Sequence, residues 1–528
     1  MDFEELRISG INVRDPQSLY ELVVMDLCGE RYFRPFKEEI RAHIQAFIGM
    51  SSIDGLNYEQ FNELLLLFDQ DRATRAFFDF FFSPKGRLKL DELPERIARF
   101  RGFAMLCFGD FRFAYKKLSR DNEAQLVREL DPYVKSEASI LSEFAERPSP
   151  ALKIEKIASD RTWCLGYIAK GVYESEARLL SDTIRAGKAD AGLLKLADLY
   201  EHLGDTIRET EAQGLRNTDI YLTWDYMDVY VATSMRKKWE FEETAEFVSK
   251  LFGNDSIRKL KVRYFDPTQC QCAYRIDKGL VEALMLKRAR CTVYMVQESD
   301  TLGKDSELAC TLAQGKPVIA YVPRIEDVEA HARKLHRYPL EFFKLRFQVL
   351  QAEGILEDPK LVPRLAQLEP DYFKSVNDLI ASLAAYRQQQ PFSLWAEKDD
   401  EFKGGSGSFA LICRILATAE QFNFDKRAAT LRELHPLSLQ VHLESGVANG
   451  VLVVRTADEC AELLYKLLTN SLSFSIVCDA EQGCTLMKEK ISQSPFRAVS
   501  NYEKMANSFW NFYLLSESKA EEGRLTHV

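Results

Sequence analysis

The chain has no apolar run long enough to cross a bilayer. Its longest, such as Leu64–Phe68 and the Phe-rich stretch Phe77–Phe82, fall far short of the roughly 20 residues a membrane helix needs. Its opening, Met1-Asp2-Phe3-Glu4-Glu5, is acidic and lacks the basic and apolar regions of a secretory signal, so a cytoplasmic protein is expected. A surplus of positive charge is also missing. The formal net charge is −10 and the pI about 5.5, so neither general nucleic-acid binding nor attraction to a membrane surface is expected. Arg236-Lys-Lys and the stretch Arg258–Arg263 are locally basic, and both read as solvated surface. Paired cysteine motifs are absent as well. The eleven cysteines are scattered and odd in number, which fits reduced thiols in a reducing compartment. Cys270-Gln271-Cys272 has no second pair and no histidine at zinc-ligand spacing, so no metal is expected there.

What is present is ordinary globular material, 46% hydrophobic and 28% charged, over 528 residues, enough for two or three domains. From Pro16 to Leu215 the apolar spacing is helical, as in Phe61–Phe68 and Leu179–Leu203, with breaks at Ser83-Pro84-Lys85-Gly86 and Arg147-Pro148-Ser149-Pro150. Residues 1–215 therefore read as an all-helical domain. Within it, Gly86–Glu92 has the Gly, apolar, Glu order of an EF-hand loop. The ligand positions of such a loop would fall on Phe81, Ser83 and Lys85, and a lysine there repels calcium, so a plain helix–turn–helix is expected.

The period then changes. Strand-like runs at Asp228–Thr233, Lys259–Tyr264, Cys291–Val296 and Pro317–Val322 alternate with helical stretches at Glu242–Leu251, Lys278–Arg288 and Ser306–Gln314. This alternation predicts an α/β fold over 216–324, a doubly wound parallel sheet covered on both faces. Loops after the strand ends would then share one edge, where ligands bind in such folds. Residues 325–435 read as a helical insertion containing the connector Lys403-Gly-Gly-Ser-Gly-Ser408, which lacks the Lys-Ser/Thr ending of a phosphate-binding loop. Over 436–528, strands at Leu437–Leu443, Gly450–Arg455 and Phe474–Cys478 flank a helix at Ala457–Leu468. This strand–helix–strand is expected to complete the core sheet, the alternative being a separate small domain.

The segment Gln297–Pro323 carries the chemistry. It runs strand end, loop, helix, tight turn and strand, with Gly315 at the helix C-cap and Pro317 opening the next strand. With Asp305 or Ser306 as N-cap, Glu307 falls in the first helical turn at the ligand edge, its charge favoured by the helix dipole. Dipole preference alone also enriches acidic residues there. An ionised carboxylate at that edge suits stabilisation of a developing cation, or attack, at the anomeric carbon of a ribose. Ser234 and Arg236 follow the first strand, and Arg236 could hold a phosphate. Asp266 and Asp300 follow the second and third strands and could meet ribose hydroxyls, while Trp239 and Tyr274 could stack on a base. Asp305 completes the candidate substrate-binding set.

Gly303, Glu307 and Gly315-Lys316-Pro317-Val318 resemble, in register, the glutamate segment of nucleoside 2-deoxyribosyltransferases and of the related Toll/interleukin-1 receptor (TIR) domains that cleave NAD. Val229–Arg236 is similar to their first strand and substrate loop. Lys304 replaces a threonine of the transferase pattern and Ala309 a glycine, and the Ser and Trp-Cys common before the glutamate in TIR domains are absent. The resemblance implies a flavodoxin/TIR-like sheet and an N-glycosidic bond-cleaving enzyme, with NAD as substrate rather than cofactor and Glu307 as its catalytic carboxylate. It further implies a regulated stress or phage-defence effector whose helical regions sense a signal, form a homo-oligomer or meet an activating protein. Two other readings stay open: a deoxyribosyltransferase or nucleotide hydrolase, and a non-catalytic nucleotide-sensing module.

Overall fold

The computed structural model describes residues 13–20, 22–23, 27, 38–50, 55–68, 70, 72–83, 87–108, 136–188, 190–297, 302–314, 316–389, 409–432, 447–448, 451–479 and 484–498. Its N-terminal helices include Glu38–Met50, Tyr58–Leu67 and Leu93–Phe108, joined through a π-helical turn at Phe78–Phe82. Asn57 fixes the start of one of them through a capping box with Gln60. Phe61, Phe77, Phe78, Phe81, Phe82 and Phe100 fill the core they enclose. Residues 84–86, in the turn read as a plain helix–turn–helix, lie outside the described residues; next to them, Leu88 forms a two-residue antiparallel bridge with Leu56. The helical domain does not stop at 215. Helix α1 (Ala191–Thr223), capped by Asp190, runs unbroken past that boundary and seats Tyr221 in the core of the sheet.

The sheet itself is as the alternation predicts, five parallel strands in the order β2 (Tyr264–Phe265), β1 (Met227–Ala232), β3 (Ala289–Met295), β4 (Val318–Tyr321) and β6 (Val451–Val454). Strands β1, β3 and β4 are β-branched and aromatic, and nearly every residue is buried because helices cover both faces. Register is continuous, with Val231 beside Val293 and Val293 beside Ile319. Strand β2 corrects the expectation of a strand over Lys259–Tyr264. That segment begins as the end of a short helix, α3 (Asp255–Lys259), capped by Asn254, and only Tyr264–Phe265 pair with β1. Lys261 sits at φ +48°, a left-handed conformation that breaks the alternation read from Leu260, Val262 and Tyr264.

Helices α2 (Lys238–Gly253), α3 and α7 (Ala457–Leu468) pack on one face against Val229, Val293, Ile319 and Leu452. The other face, lined by Tyr230, Tyr294, Val318 and Val453, takes α1, α4 (Arg275–Arg288), α5 (Leu302–Ala313) and α6 (Phe409–Arg432). The strand order reverses between β1 and β3, which places the fold's usual ligand crevice beyond their carboxyl ends.

Between β4 and α6 the chain is helical and, with the first half of α6, forms a core around Phe343, Phe347, Leu365 and Ile412, while the second half of α6 packs on the sheet. The Gly/Ser connector and the strand read at Leu437–Leu443 lie outside the described residues. Strand β6 (Val451–Val454) pairs in parallel with β4 and completes the core sheet. The strand read at Phe474–Cys478 does not join it. As β7 (Phe474–Asp479) it pairs antiparallel with β8 (Cys484–Glu489) in a second sheet of order β5-β9-β8-β7, where β5 is Val447–Ala448 and β9 Pro495–Ala498. The connection from α7 to β7, residues 469–473, is only a short turn, and β8 follows β7 as an antiparallel neighbour, so the C-terminal segment folds back on itself.

Candidate active site

Helix α5 starts at Leu302, three to four residues before the cap residues read from sequence, Asp305 or Ser306. Asp305 and Ser306 are thus inside the helix, and Glu307 sits in its second turn rather than its first. Pulled back from the helix end, it gains little from the dipole. Its side chain reaches β1 instead, where the Tyr230 hydroxyl donates to Glu307 Oε1 at 2.8 Å. Tyr230 is fully buried and stacked on Phe265, ring centroids 5.3 Å apart, so its hydroxyl has little freedom to leave. On α4, Lys278 and Glu282 face each other at 3.9 Å and complete the electrostatic surroundings of the pair.

These surroundings reverse the expected charge state. Burial pushes the Glu307 carboxyl up to about 8 and the nearby Glu282 adds to the shift. The Tyr230 hydrogen bond, Lys278 and Lys304 pull the other way without restoring an ordinary value. Glu282 is itself raised by burial, against Lys278. A carboxyl pushed up to about 8 is held mainly as the neutral acid at neutral pH. The ionised carboxylate expected from sequence is therefore replaced by one that burial biases toward the neutral acid.

Other sequence candidates are dispersed by the fold. Ser234 continues from β1, and its amide donates to Gln297 Oε1 at 2.6 Å, an acceptor shared with the Thr233 hydroxyl at 2.9 Å. The Ser234 hydroxyl is buried and unpaired among the described residues. The Arg236 amide donates to Glu240 at 2.6 Å, and its guanidinium is about half exposed, 3.9 Å from the same carboxylate. Both residues follow the carboxyl end of β1.

Three expectations fail for identifiable reasons. Trp239 is 3% exposed and meets Phe342 edge-on at 5.4 Å, so its ring belongs to the packing between α2 and the insertion rather than to a base-stacking surface. Asp266 is 3% exposed and caps the turn Pro267–Gln269, accepting from the Thr268 amide at 3.0 Å and hydroxyl at 2.6 Å. Its acceptor capacity is used inside the protein. Asp305 accepts from the Tyr294 hydroxyl at 2.8 Å. Two positions apart on a helix is about 200° of rotation, so Asp305 and Glu307 lie on opposite flanks of α5. Asp305 lines a separate cavity of about 320 Å³ with Tyr294, Asn423, Lys426 and Arg427. Tyr274 stands 72% exposed before α4, and Asp300 lies outside the described residues.

Sequence reasoning missed Tyr230, Glu282, Lys278 and Gln297. Tyr230 carried a usable signal, since a tyrosine in the middle of a strand buried on both faces needs a partner for its hydroxyl. Glu282 and Lys278 carried none, because their spacing on α4 is that of any surface ion pair. No protein-family model, no curated protein and no solved structure matches this chain.

Proposed function

We propose that the α/β unit cleaves the N-glycosidic bond of NAD, with Glu307 as the carboxyl group facing the ribosyl centre. One observation carries the reading: a desolvated glutamic acid, held by Tyr230, on the helix that follows β3 beside the point where strand order reverses. The resemblance of Gly303, Glu307 and Gly315-Lys-Pro-Val to NAD-cleaving TIR domains and deoxyribosyltransferases supports the same assignment.

The charge state favours NAD over a neutral nucleoside. The nicotinamide ring of NAD is a cation, and seating it beside Glu307 draws the carboxyl toward ionisation. The C1′–N bond then breaks with its electron pair passing to the ring, which leaves as neutral nicotinamide. The carboxylate faces the oxocarbenium-like ribosyl cation, water adds at C1′, and one proton is released. A deoxynucleoside brings no positive charge and leaves Glu307 protonated. Ser234 and Arg236 follow the carboxyl end of β1, four and six residues on from Tyr230, an order that suits a dinucleotide with its pyrophosphate near them. The N-terminal helices and the insertion fill the roles of sensor or oligomerisation part in a regulated effector.

The test is to incubate the purified full chain with NAD and, separately, with deoxynucleosides over pH 6–9. Nicotinamide release supports the reading. Base exchange on deoxynucleosides alone makes it a transferase, and NAD binding without turnover of either makes it a sensing module.

A further inference from the structure

A second cavity, of about 920 Å³, opens at the opposite edge of the sheet from the usual ligand crevice. Its walls include Tyr226 just before β1, Ala289 at the start of β3 and Pro317 just before β4, which places it under the amino ends of three strands. Its floor is apolar. Phe81 and Phe144 come from the N-terminal helices, Leu468 from α7, Leu472 from the turn that follows it and Phe474 from the start of β7. Burial of this kind against aromatic and leucine side chains favours a ligand body that is itself apolar.

The rim is cationic. Among the described lining residues, Arg99, Arg147, Lys287, Arg288, Arg290 and Lys316 face only Glu143, with Asp228 behind them. Asp228 is spent on Arg147, at 2.8 Å, and lies 3.9 Å from Arg290. Lys316 has main-chain carbonyls as partners, Lys287 O at 2.7 Å and Leu286 O at 3.1 Å, and no carboxylate among the described residues. The Arg99 guanidinium lies over the Phe80 ring at 5.4 Å. Burial lowers the pKa of both Arg99 and Lys316, so positive charge is held there at a cost that a bound anion relieves. The uncompensated charge exceeds one unit, which suits a phosphate better than a carboxylate.

We infer that this cavity binds an organic phosphate with an apolar body, the body on Phe81, Phe144 and Leu468 and the phosphate toward Lys316, Arg290 and Lys287. The site is separate from Glu307 and touches the N-terminal helices, the core sheet and the C-terminal sheet at once. A ligand there ties the three together. The shared chemistry has two sources, a nucleotide or a lipid-like alkyl phosphate.

Calorimetric titration of the full chain with ADP, dodecyl phosphate and inorganic phosphate tests this. Saturable binding of one organic phosphate per chain is expected, weakened about tenfold or more by the double variant Lys287→Glu, Lys316→Gln and unchanged by Glu307→Gln. Tighter dodecyl phosphate assigns a lipid-like source, and tighter ADP a nucleotide. Lys287 is solvent-exposed, so Lys287→Glu alone serves as the control that keeps the fold; it should weaken binding in the same direction. No binding of either organic phosphate at millimolar concentration, binding untouched by both variants, or inorganic phosphate binding as tightly as dodecyl phosphate would overturn the assignment.

Discussion

Tyr230 and Glu307 are locked together across β1 and α5 by one hydrogen bond of 2.8 Å, from a phenol that is itself fully buried. A carboxyl so placed has its hydrogen-bond geometry set before any ligand arrives. Its charge is the variable that a ligand controls.

Glu307→Gln keeps the size and an acceptor for Tyr230 but removes the ability to ionise. Nicotinamide release should fall about a hundredfold or more, the range seen when one electrostatic stabiliser is lost, while NAD still shifts the melting temperature. The comparison needs conditions in which the wild type turns over. A Gln variant that hydrolyses NAD at the wild-type rate removes Glu307 from the mechanism.

The raised carboxyl also ties stability to pH. Its folded value of about 8 lies above the ordinary glutamate value, so the folded state holds a proton that the unfolded chain gives up. Stability from this group is fully present below about pH 4.5 and is lost as pH rises toward 8. The loss is on the order of 4–5 kcal/mol for a shift from 4.5 to about 8. Glu307→Gln should therefore flatten the fall of the melting temperature between pH 5 and 8 and be the more stable protein at pH 8. Parallel curves for the two proteins would show that the carboxyl ionises normally.

Tyr230→Phe separates the hydrogen bond from the packing. The ring keeps its stack on Phe265, so folding should survive. Loss of the donor removes one of the influences that hold the Glu307 carboxyl down, so its ionisation should move to still higher pH. The limb of kcat/KM that rises with pH should shift upward, with about a tenfold loss at pH 7. An unchanged pH profile would mean the phenol only packs.

Much of the sheet was legible because a doubly wound strand leaves a strong trace: short β-branched runs, each followed by about three helical turns. Strands β1, β3 and β4 and the joining of β6 follow from that trace. Where local conformation overrode the pattern it misled, as at Lys261, whose positive φ ends the run that reads as a strand. Glu307 was legible from its register with Gly303 and Gly315, but its protonation was not. That depends on Tyr230 and Glu282, which approach it from other elements. Trp239 and Asp266 misled for a related reason. Their positions after strand ends were read correctly, yet each is occupied by the protein itself, one by Phe342 and the other by Thr268.

A final prediction concerns Asp228, wholly buried just inside β1. Its carboxylate accepts from Arg147 at 2.9 and 2.8 Å and from the Arg263 amide at 2.9 Å. Arg147 also lies over the Phe144 ring, 3.8 Å from its centroid, so it pins the helix Glu137–Glu146 against the sheet. Arg147→Ala leaves the carboxylate inside with one amide and the more distant Arg290, 3.9 Å away. The cost should be about 3 kcal/mol, because an abandoned buried charge is far worse than a lost surface pair. Adding Asp228→Asn to Arg147→Ala should restore part of that stability, since the neutral amide has no charge to desolvate and can still accept from Arg263. Denaturant titration of both variants decides it. Equal stability of the single and double variants would mean that Arg147 acts through its stacking on Phe144, and that Asp228 needs no cation.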